Sequence, residues 1–376
     1  MPCARAPEGG QISASQAAGL VFAIVLPPAV LYLPSLHAVV VRAGVDGRIS
    51  MLVGAGTAML LLLVSWALAF RYPGRTFPEM LVLEWGRLGQ VLTGLYVLGL
   101  VIHGAFQARA FGQAIGLTLL PRTPILPIIA FQLVVAVWAA RKGIEAIARI
   151  NVVAAPLMLL GLVTLLILAW RDLQLDRLPP AWSAPLVDIL RGAAAPLAWF
   201  LEAGLLAHIA FPYVSNLRRV TWPYFLCLGL AGVLLSGTLW ISQAVLGVHL
   251  ARQSIAVVEK VAREVAPVEF FSRVEALYLA VWQPASIVEF AVLIYGAALV
   301  TAQLFALREY QSLVLPLGLL MGIGGAFLVP GVADIISFST QVVPVYAVLF
   351  GFGLPLVFLL VSLGRRAGGR AAGGGG

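Results

Sequence analysis

The sequence VLPPAVLYLP, residues 25–34, lies inside the first long apolar segment of the chain, which runs over residues 14–41. Proline has no backbone N–H and its ring clashes with the preceding turn, so three prolines in this stretch predict an interrupted helix. In a bilayer, such an interruption is tolerated only where protein, water or a ligand binds the freed backbone groups. Secondary transporters use broken helices of this kind at their substrate sites. The stretch therefore predicts a helix that breaks at a binding site.

The composition excludes a soluble protein. Of the 376 residues, 61% are hydrophobic and 11% are charged, whereas a typical soluble domain carries about 25% charged residues. The apolar runs are long and continuous, unlike the short alternating segments of an outer-membrane barrel. We therefore predict an all-α polytopic membrane protein.

A helix needs about 20 apolar residues to cross a bilayer, and the sequence offers ten such segments. They lie near residues 14–41, 49–70, 88–119, 124–140, 147–170, 193–214, 221–247, 284–307, 313–329 and 336–363. We expect residues 1–12 to form a cytoplasmic N-terminal tail and residues 13–364 a single transmembrane domain. The glycine-rich residues 365–376 are expected to form a disordered tail.

The positive charges predict the orientation of the chain in the membrane. The net charge is +8, and arginines in short loops both set orientation and contact lipid head groups. With the N-terminus in the cytoplasm, thirteen Lys and Arg residues lie inside and ten outside, four of them in segment 251–282. Long loops weigh less in this rule, so we expect the N-terminus inside. No basic stripe interleaved with aromatic residues is present, and we expect no nucleic-acid partner.

Segment 251–282 differs from the apolar segments because it carries regularly spaced charges. Three pairs of opposite charge have the i,i+4 spacing that brings side chains together on a helix: Glu259 with Arg263, Lys260 with Glu264, and Glu269 with Arg273. Pro267 divides the segment. We expect two short amphipathic helices on the outer face, and a plain interfacial connector is the alternative.

Five ionisable residues fall within the apolar segments, where a charge is costly and usually faces a cavity or a partner. His103 and Arg109 lie in the third segment, Glu202 and His208 in the sixth, and Glu289 in the eighth. Glu202 is the strongest functional candidate because it lies in the middle of its segment. A structural ion pair with Arg109 is the alternative for Glu202, hydrogen-bonded packing for the histidines, and an interfacial position for Glu289.

The ten segments divide into two halves of five. In a five-plus-five inverted repeat the first and sixth segments occupy matched positions, and both contain proline: Pro27 and Pro28 in the first, Pro196 in the sixth. This agreement places repeat one at about residues 13–170 and repeat two at about residues 185–364. A simple kink at each proline is the alternative.

The sequence carries no enzyme signature. It contains no HExxH, nucleophile-elbow or Walker motif, so we expect no enzymatic activity. Cysteine, histidine and acidic residues are sparse, and we expect no metal and no other cofactor. The run GIGG, residues 322–325, lies inside an apolar segment and predicts close helix packing.

Nine short stretches together carry a resemblance to a known family. They are QISASQ (11–16), LYLPS (31–35), RYPGRTFPE (71–79), RAFG (109–112), LLPRTP (119–124), RKGIEAIARI (141–150), FPYVSN (211–216), FFSRVEALYLAVW (270–282) and QLFALREYQSLVLPLG (303–318). In their order and spacing, residues 12–363 resemble the endospore germination permeases. These are the B subunits of spore germinant receptors, within the amino acid–polyamine–organocation superfamily.

The resemblance implies a leucine-transporter-like fold with broken helices 1 and 6, in the inner membrane of a spore. It implies a small nutrient germinant, often an amino acid, and two protein partners, a larger A subunit and a lipoprotein C subunit. The family's substrate region falls here on Leu26, Pro27, Pro28, Ala29, Val30, Leu31, Trp199, Phe200, Glu202, Ala203 and Gly204. Arg109, Glu202 and Glu289 are candidates for charge pairing or coupling.

The chain departs from the family pattern at both expected breaks. Pro27 and Pro28 stand where the family has glycine, and proline offers no N–H to a ligand carboxylate. Residues 199–201 read Trp-Phe-Leu instead of Pro-Phe-Gly, and Glu289 replaces a position that is often basic. These differences favour a germinant that is less charged than an amino acid.

Our leading hypothesis is a membrane subunit that binds a germinant between the first, third, sixth and eighth segments. Binding would shift the helices between two states that differ in ligand affinity. The alternative is a secondary transporter of amino acids or polyamines, coupled to protons through Glu202 or Glu289. A scaffold subunit with a vestigial pocket is the third possibility.

Overall fold

A computed structural model describes residues 9–31, 39–118, 120–178, 180–254, 257–265, 274–328 and 331–372. For residues 28–31, 118, 177, 274–280 and 365–372 it describes the backbone alone. Pro34, Pro267 and the Glu269–Arg273 pair of the sequence analysis lie outside the described residues.

The described chain is almost entirely helical. The helices are α1 (Ala14–Leu31), α2 (Gly47–Arg71), α3 (Phe77–Trp85), α4 (Arg87–Thr118), α5 (Ile125–Arg141), α6 (Ile144–Ala169), α7 (Leu186–Ala210), α8 (Leu217–Leu246), α9 (Val248–Gln253), α10 (Val257–Val265), α11 (Val274–Leu304), α12 (Gln311–Phe327), α13 (Val332–Ser337), α14 (Val343–Val348) and α15 (Leu354–Ala372). Two π-helical turns, Phe338–Val342 and Leu349–Gly353, join the last three helices into one continuous element.

Seven helical stretches among the described residues are long and apolar enough to cross a membrane. They are Val39–Arg71, Arg87–Leu117, Ile144–Asp172, Leu186–Tyr213, Leu217–Leu246, Val281–Leu304 and Val332–Gly364. Three shorter apolar helices, Ala14–Pro27, Ile125–Arg141 and Gln311–Phe327, fall at the remaining expected spans. The polytopic helical class is therefore confirmed. Of the ten expected spans, seven are long enough among the described residues to cross a membrane.

The helices form two groups of four with a matched internal arrangement. The first group consists of α1, α2, α7 and α8, in which α2 packs on α7 and α8 packs on α1. The second group consists of α4, α5, α11 and α12, in which α4 packs on α12 and α11 packs on α5. Helix α6 lies against α1, and α14 lies against α7. The short α3 follows the second helix of the first half, and α9 with α10 follows the second helix of the second half. This correspondence is the pattern of an inverted repeat.

The core lies where these two groups meet. Within their most apolar stretches 83% of the residues of α7 and 89% of those of α11 are buried, compared with 28% for α6. A membrane helix that is buried on all sides contacts other helices instead of lipid. Helices α7 and α11 are therefore the two long central elements of the bundle.

Within the described residues, neither Pro27–Pro28 nor residues 199–204 interrupt a helix. Helix α1 continues through Pro27 and Pro28 to Leu31, and α7 continues through residues 199–204. Each proline removes one hydrogen bond, but α1 packs against α6, α7, α8 and α11. Contacts with neighbouring helices compensate for lost backbone bonds in membrane helices. In α7 the only proline is Pro196, one turn before the residues expected to unwind.

In the described part of segment 251–282, one short amphipathic helix with the expected charge spacing is present. Helix α10 buries Val257, Val258, Val261, Ala262 and Val265 against α6, α8 and α11, and its Glu259 binds Arg263 at 2.7 Å. Residues 274–282 belong to α11, because their apolar sequence continues directly into that long helix.

The two chain ends also differ from expectation. Ile12, in the expected tail, is buried and pairs with the backbone of Val214 in an isolated β-bridge. The N-terminal segment and the turn between α7 and α8 therefore lie at the same end of the bundle. Helix α15 continues to Ala372 through part of the expected disordered tail, because Arg and Ala there are good helix formers.

Glycines allow several helices to approach closely, as GIGG predicts. A Cβ atom on Gly325 would lie 2.5 Å from the carbonyl oxygen of Ala105, so α12 and α4 are in backbone contact there. On α2, a Cβ on Gly54 would lie 2.7 Å from the carbonyl oxygen of Ala193 and from Pro196 Cβ on α7. Small residues at such crossings are typical of membrane helix packing.

We expect Gly54→Ala to destabilise the protein by about 1–3 kcal/mol, because the added methyl group must push α2 away from the backbone of α7. Thermal unfolding of the detergent-purified protein measures this effect. Gly56→Ala is the matched control two residues away, since a Cβ there meets nothing within 4 Å. Equal melting temperatures for the two variants would contradict the tight α2–α7 contact.

Candidate functional site: a buried His–Glu–Glu cluster

Three ionisable side chains from three helices meet in the centre of the bundle. His103 lies on α4, Glu202 on α7 and Glu289 on α11, and one ligand atom from each lies within 4.8 Å of the others. His103 Nε2 is 3.7 Å from Glu202 Oε2. All three residues are buried, with 4%, 4% and 2% of their surface exposed. We call this group the His–Glu–Glu cluster.

The cluster faces a small closed cavity. The cavity has a volume of about 20 Å³, which is room for about one water molecule. Helix α1 contributes Ile24 to the wall, and leucine, isoleucine and valine side chains of α4, α7 and α11 complete it. None of the side chains that line it is a lysine or an arginine. The three polar groups therefore point into an otherwise apolar chamber between α1, α4, α7 and α11.

A polar stripe along α4 brings His103 to this position. Tyr96, Leu100, His103 and Gln107 follow one another at spacings of three or four residues, so they share one face of the helix, and all four are buried. The Tyr96 hydroxyl donates to the Leu205 carbonyl oxygen on α7 at 3.4 Å. The Gln107 amide is a hydrogen-bonding neighbour of the Glu289 carboxyl group. This face of α4 therefore contacts both central helices.

Helix α7 is fixed on the sides that face away from the cavity. The Tyr224 hydroxyl on α8 donates to the Ala203 carbonyl oxygen at 2.5 Å. A Cβ on Gly204 would lie 2.6 Å from Leu62 on α2 and 3.2 Å from the carbonyl oxygen of Gly351. These contacts hold the backbone of the two residues that follow Glu202, and so they help to fix where its carboxyl group points.

The residues implied by the family resemblance are distributed unevenly around the cavity. Of the set on α7, Glu202 lines the cavity, whereas Gly204 faces α2 and Phe200 reaches towards Gly232 on α8. Trp199 and Ala203 are buried without lining it. On α1, Leu26 and Pro27 are buried but Ile24 is the lining residue; Pro28, Ala29, Val30 and Leu31 are described by their backbone alone.

The ion pair between Glu202 and Arg109 is not formed, and this alternative is wrong. His103 and Glu289 are ionisable groups beside Glu202, whereas Arg109 interacts electrostatically with Asp334 on α13. Arg109 lies six residues after His103 on α4, beyond the turn of helix that faces the cavity. Glu202 and Glu289 are brought together as candidates for coupling, while Arg109 belongs to a separate contact between α4 and α13.

The two buried histidines have different surroundings. His208 Nε2 lies 2.9 Å from the Ser65 hydroxyl, and its ring packs on Phe77 with centroids 4.7 Å apart. The packing interpretation therefore fits His208. His103 lines the cavity, and its Nδ1 is buried without a hydrogen-bond partner in the described part of the chain. The spacing of Tyr96, His103 and Gln107 on one face of α4 is the sequence signal that points to a functional position for His103.

The cluster can exchange protons, bind a cation or hydrogen-bond a polar ligand. Its two carboxyl groups and imidazole supply mainly acceptor atoms, and those same groups are metal ligands in other proteins. Burial of these groups is costly unless charge is neutralised or paired. The cavity is therefore a place where a proton, a cation or a cationic group on a ligand gains binding energy.

We expect Glu289→Gln to raise the melting temperature of the purified protein by about 1–3 °C, measured with a chelator present. Glutamine has the shape of glutamate but is never charged, so the cost of burying an ionisable carboxyl group disappears. Glu264→Gln, on the exposed face of α10, is the control and should leave the melting temperature unchanged. A marked loss of stability in Glu289→Gln alone would show that the carboxylate itself stabilises the fold.

The arrangement of the helices matches that of solved membrane-transporter structures. The chain resembles a nucleobase–cation symporter, MHP1, solved in a closed conformation with bromovinylhydantoin bound. The TM-score is 0.65 with 15% identity, and the match covers 90% of this chain and 77% of MHP1. It also resembles MhsT in complex with L-phenylalanine, with a TM-score of 0.71, 14% identity, and coverage of 92% and 88%. These similarities confirm the leucine-transporter-like fold.

Within that class the sequence identifies the family. The family model described as "Spore germination protein" matches residues 11–324, and the chain belongs to this family of germination permeases. Spore germination protein KB of Bacillus subtilis (strain 168) is 24% identical over 330 residues, which cover 86% of this chain and 88% of that protein. The chain is therefore a multi-pass membrane protein of the spore germination permease family.

Proposed function

We propose that this chain is the transporter-like subunit of a spore germinant receptor. In this proposal a small nutrient germinant binds in the cavity between α1, α4, α7 and α11, and its binding initiates germination. The observation that carries the proposal is the His–Glu–Glu cluster, which places three polar groups in a buried cavity at the centre of the bundle. Family membership supports the role in germination.

The cavity gives a physical route from binding to signalling. A volume of about 20 Å³ is too small for a nutrient molecule, so entry requires the surrounding helices to separate. Helices α1 and α7 belong to one four-helix group and α4 and α11 to the other. A germinant held between the groups therefore favours a more open arrangement, by the difference in its affinity for the two states.

The receptor proposed here has a defined membrane, two protein partners and a class of ligand. The chain acts in the inner membrane of the spore, beside an A subunit and a lipoprotein C subunit, and the germinant is an amino acid or another small nutrient. The lining without lysine or arginine, and the continuous helices α1 and α7, favour a germinant that offers hydrogen-bond donors to the cluster.

We expect Glu202→Gln to abolish the germination response while the protein still inserts in the membrane, because one of the two acceptor oxygens at the centre of the cavity becomes an NH₂ donor and the negative charge is lost. Spores that carry the variant in place of the native chain are exposed to single amino acids, sugars and nucleosides. Germination is followed as the fall in optical density. Insertion is checked by immunoblot of the spore membrane.

Glu264→Gln on the exposed face of α10 is the matched control, because it makes the same chemical change outside the cavity. Its dose response should equal that of the native chain. An unchanged dose response in Glu202→Gln would contradict the assignment of the germinant to this cavity.

The second candidate function is a proton-coupled transporter of amino acids or polyamines. It is favoured by the proximity of Glu202 and Glu289, since two neighbouring carboxyl groups can share and exchange a proton. Uptake of radiolabelled amino acids and polyamines into proteoliposomes separates the two functions. Accumulation driven by a pH gradient, and lost in Glu289→Gln, would favour the transporter over a sensor that moves no solute.

A further inference from the structure

We propose that His103, Glu202 and Glu289 bind one divalent transition-metal ion in the cavity between α4, α7 and α11. The site has three protein ligands from three different helices, one imidazole nitrogen and two carboxylate oxygens. Imidazole suits zinc, iron, copper and nickel, and carboxylate suits manganese. The imidazole therefore favours a transition-metal ion over Mg²⁺ and Ca²⁺, which prefer oxygen ligands alone.

The distances allow such a site after a small adjustment. The three donor atoms lie within 4.8 Å of one another, and His103 Nε2 is 3.7 Å from Glu202 Oε2. Ligands about 2.1 Å from a tetrahedral zinc ion are about 3.4 Å apart. The most widely separated donors must therefore close by up to about 1.4 Å, a movement within reach of glutamate side chains, which turn about three bonds.

The charge of the cluster fits a dication. Two carboxylates and one M²⁺ ion with a neutral imidazole have zero net charge, the least costly state in an apolar interior. A monovalent cation would leave one negative charge uncompensated. Among the residues lining the cavity, no lysine or arginine is present to supply the second positive charge.

The first helix has one carbonyl group without its usual intrahelical donor, at a residue that lines the cavity. In an α-helix the N–H of residue 28 bonds the carbonyl of residue 24, but Pro28 has no N–H. The helix is continuous there, so the carbonyl of Ile24 lacks its usual intrahelical donor, and Ile24 lines the cavity. His103 Nδ1 is also buried without a partner in the described part of the chain. The cavity volume of about 20 Å³ suits a single ion.

A metal ion changes which germinants the cavity accepts, a consequence that rests on the proposed function. Three protein ligands leave a coordination position open on the ion, and a germinant carboxylate or amine can occupy it. Without the ion, two glutamates repel a carboxylate. The metal thus supplies the positive charge that the continuous helices α1 and α7 do not offer through free backbone N–H groups.

Metal titration of the full chain tests the proposal. The protein is purified in detergent, treated with EDTA and titrated with ZnCl₂, or with MnCl₂ followed by electron paramagnetic resonance. Bound metal is counted by mass spectrometry. We expect one ion per chain, and at least tenfold weaker binding in His103→Gln, Glu202→Gln and Glu289→Gln. X-ray absorption of the zinc-loaded protein should show a single imidazole ligand among oxygen ligands.

His249→Gln is the matched control, because His249 is a histidine of α9 that contacts Gln253 away from the cavity. It should bind metal as the native chain does. Absence of saturable binding, or binding that survives the His103→Gln/Glu202→Gln double variant, overturns the metal site. Circular dichroism confirms that each variant remains helical.

The outcomes for the metal site and for the proposed function are distinguishable. If no metal binds but Glu202→Gln still abolishes germination, the metal site is wrong and the germinant site stands. If metal binds at the cluster but Glu202→Gln spores germinate normally, the metal site stands and the germinant site is wrong.

Discussion

Two carboxyl groups and an imidazole lie together in one small chamber in the apolar centre of this protein. Burying these ionisable groups costs free energy, which the packing of the rest of the structure must offset. Each ionisable group at membrane depth costs at least about 2.5–3.5 kcal/mol when charged. The helices must therefore offset the cost elsewhere, and they do so by close packing at glycines such as Gly54 and Gly325. Polar groups that weaken a fold at one interior site are typical of functional centres.

The position of the cluster explains how chemistry in the centre can reach the whole molecule. Glu202 stands on a helix of one four-helix group, while His103 and Glu289 stand on helices of the other. Contacts from α2, α8 and the π-helical turn near Gly351 hold the backbone around Glu202. Any ion or ligand that contacts the three side chains therefore contacts both groups, and its binding can change how the two groups lie against each other.

Much of this arrangement could be predicted from the sequence, because composition and periodicity act locally. Apolar length predicted the helices, GIGG predicted a tight crossing, and the resemblance carried by stretches such as RAFG and FPYVSN predicted the family and the fold. Glu202 and Glu289 were singled out because charge is rare in apolar segments. The importance of His103 was harder to predict, because it depends on contacts with Glu202 and Glu289, which lie on two helices far away in sequence.

The errors have a physical cause in common. The prolines of α1 and α7 predicted breaks from a local rule, but both helices are packed on several sides, and tertiary contact maintains them. The expected pairing of Glu202 with Arg109 followed from opposite charge alone. In the folded chain Arg109 faces α13, where Asp334 acts on it. Which charged residues pair depends on the direction in which each side chain points from its helix. That direction cannot be read from the separation of the residues in the sequence.

The most direct test of this account is an electron cryo-microscopy structure of the chain with the nutrient that triggers germination of its spores. The account predicts density for that nutrient between α1, α4, α7 and α11, in contact with Glu202 and Glu289, with the two four-helix groups further apart. A second cavity of about 330 Å³ lies between α5, α6 and α11, beside Gln283. Nutrient density there, with the cluster unchanged, would contradict the account.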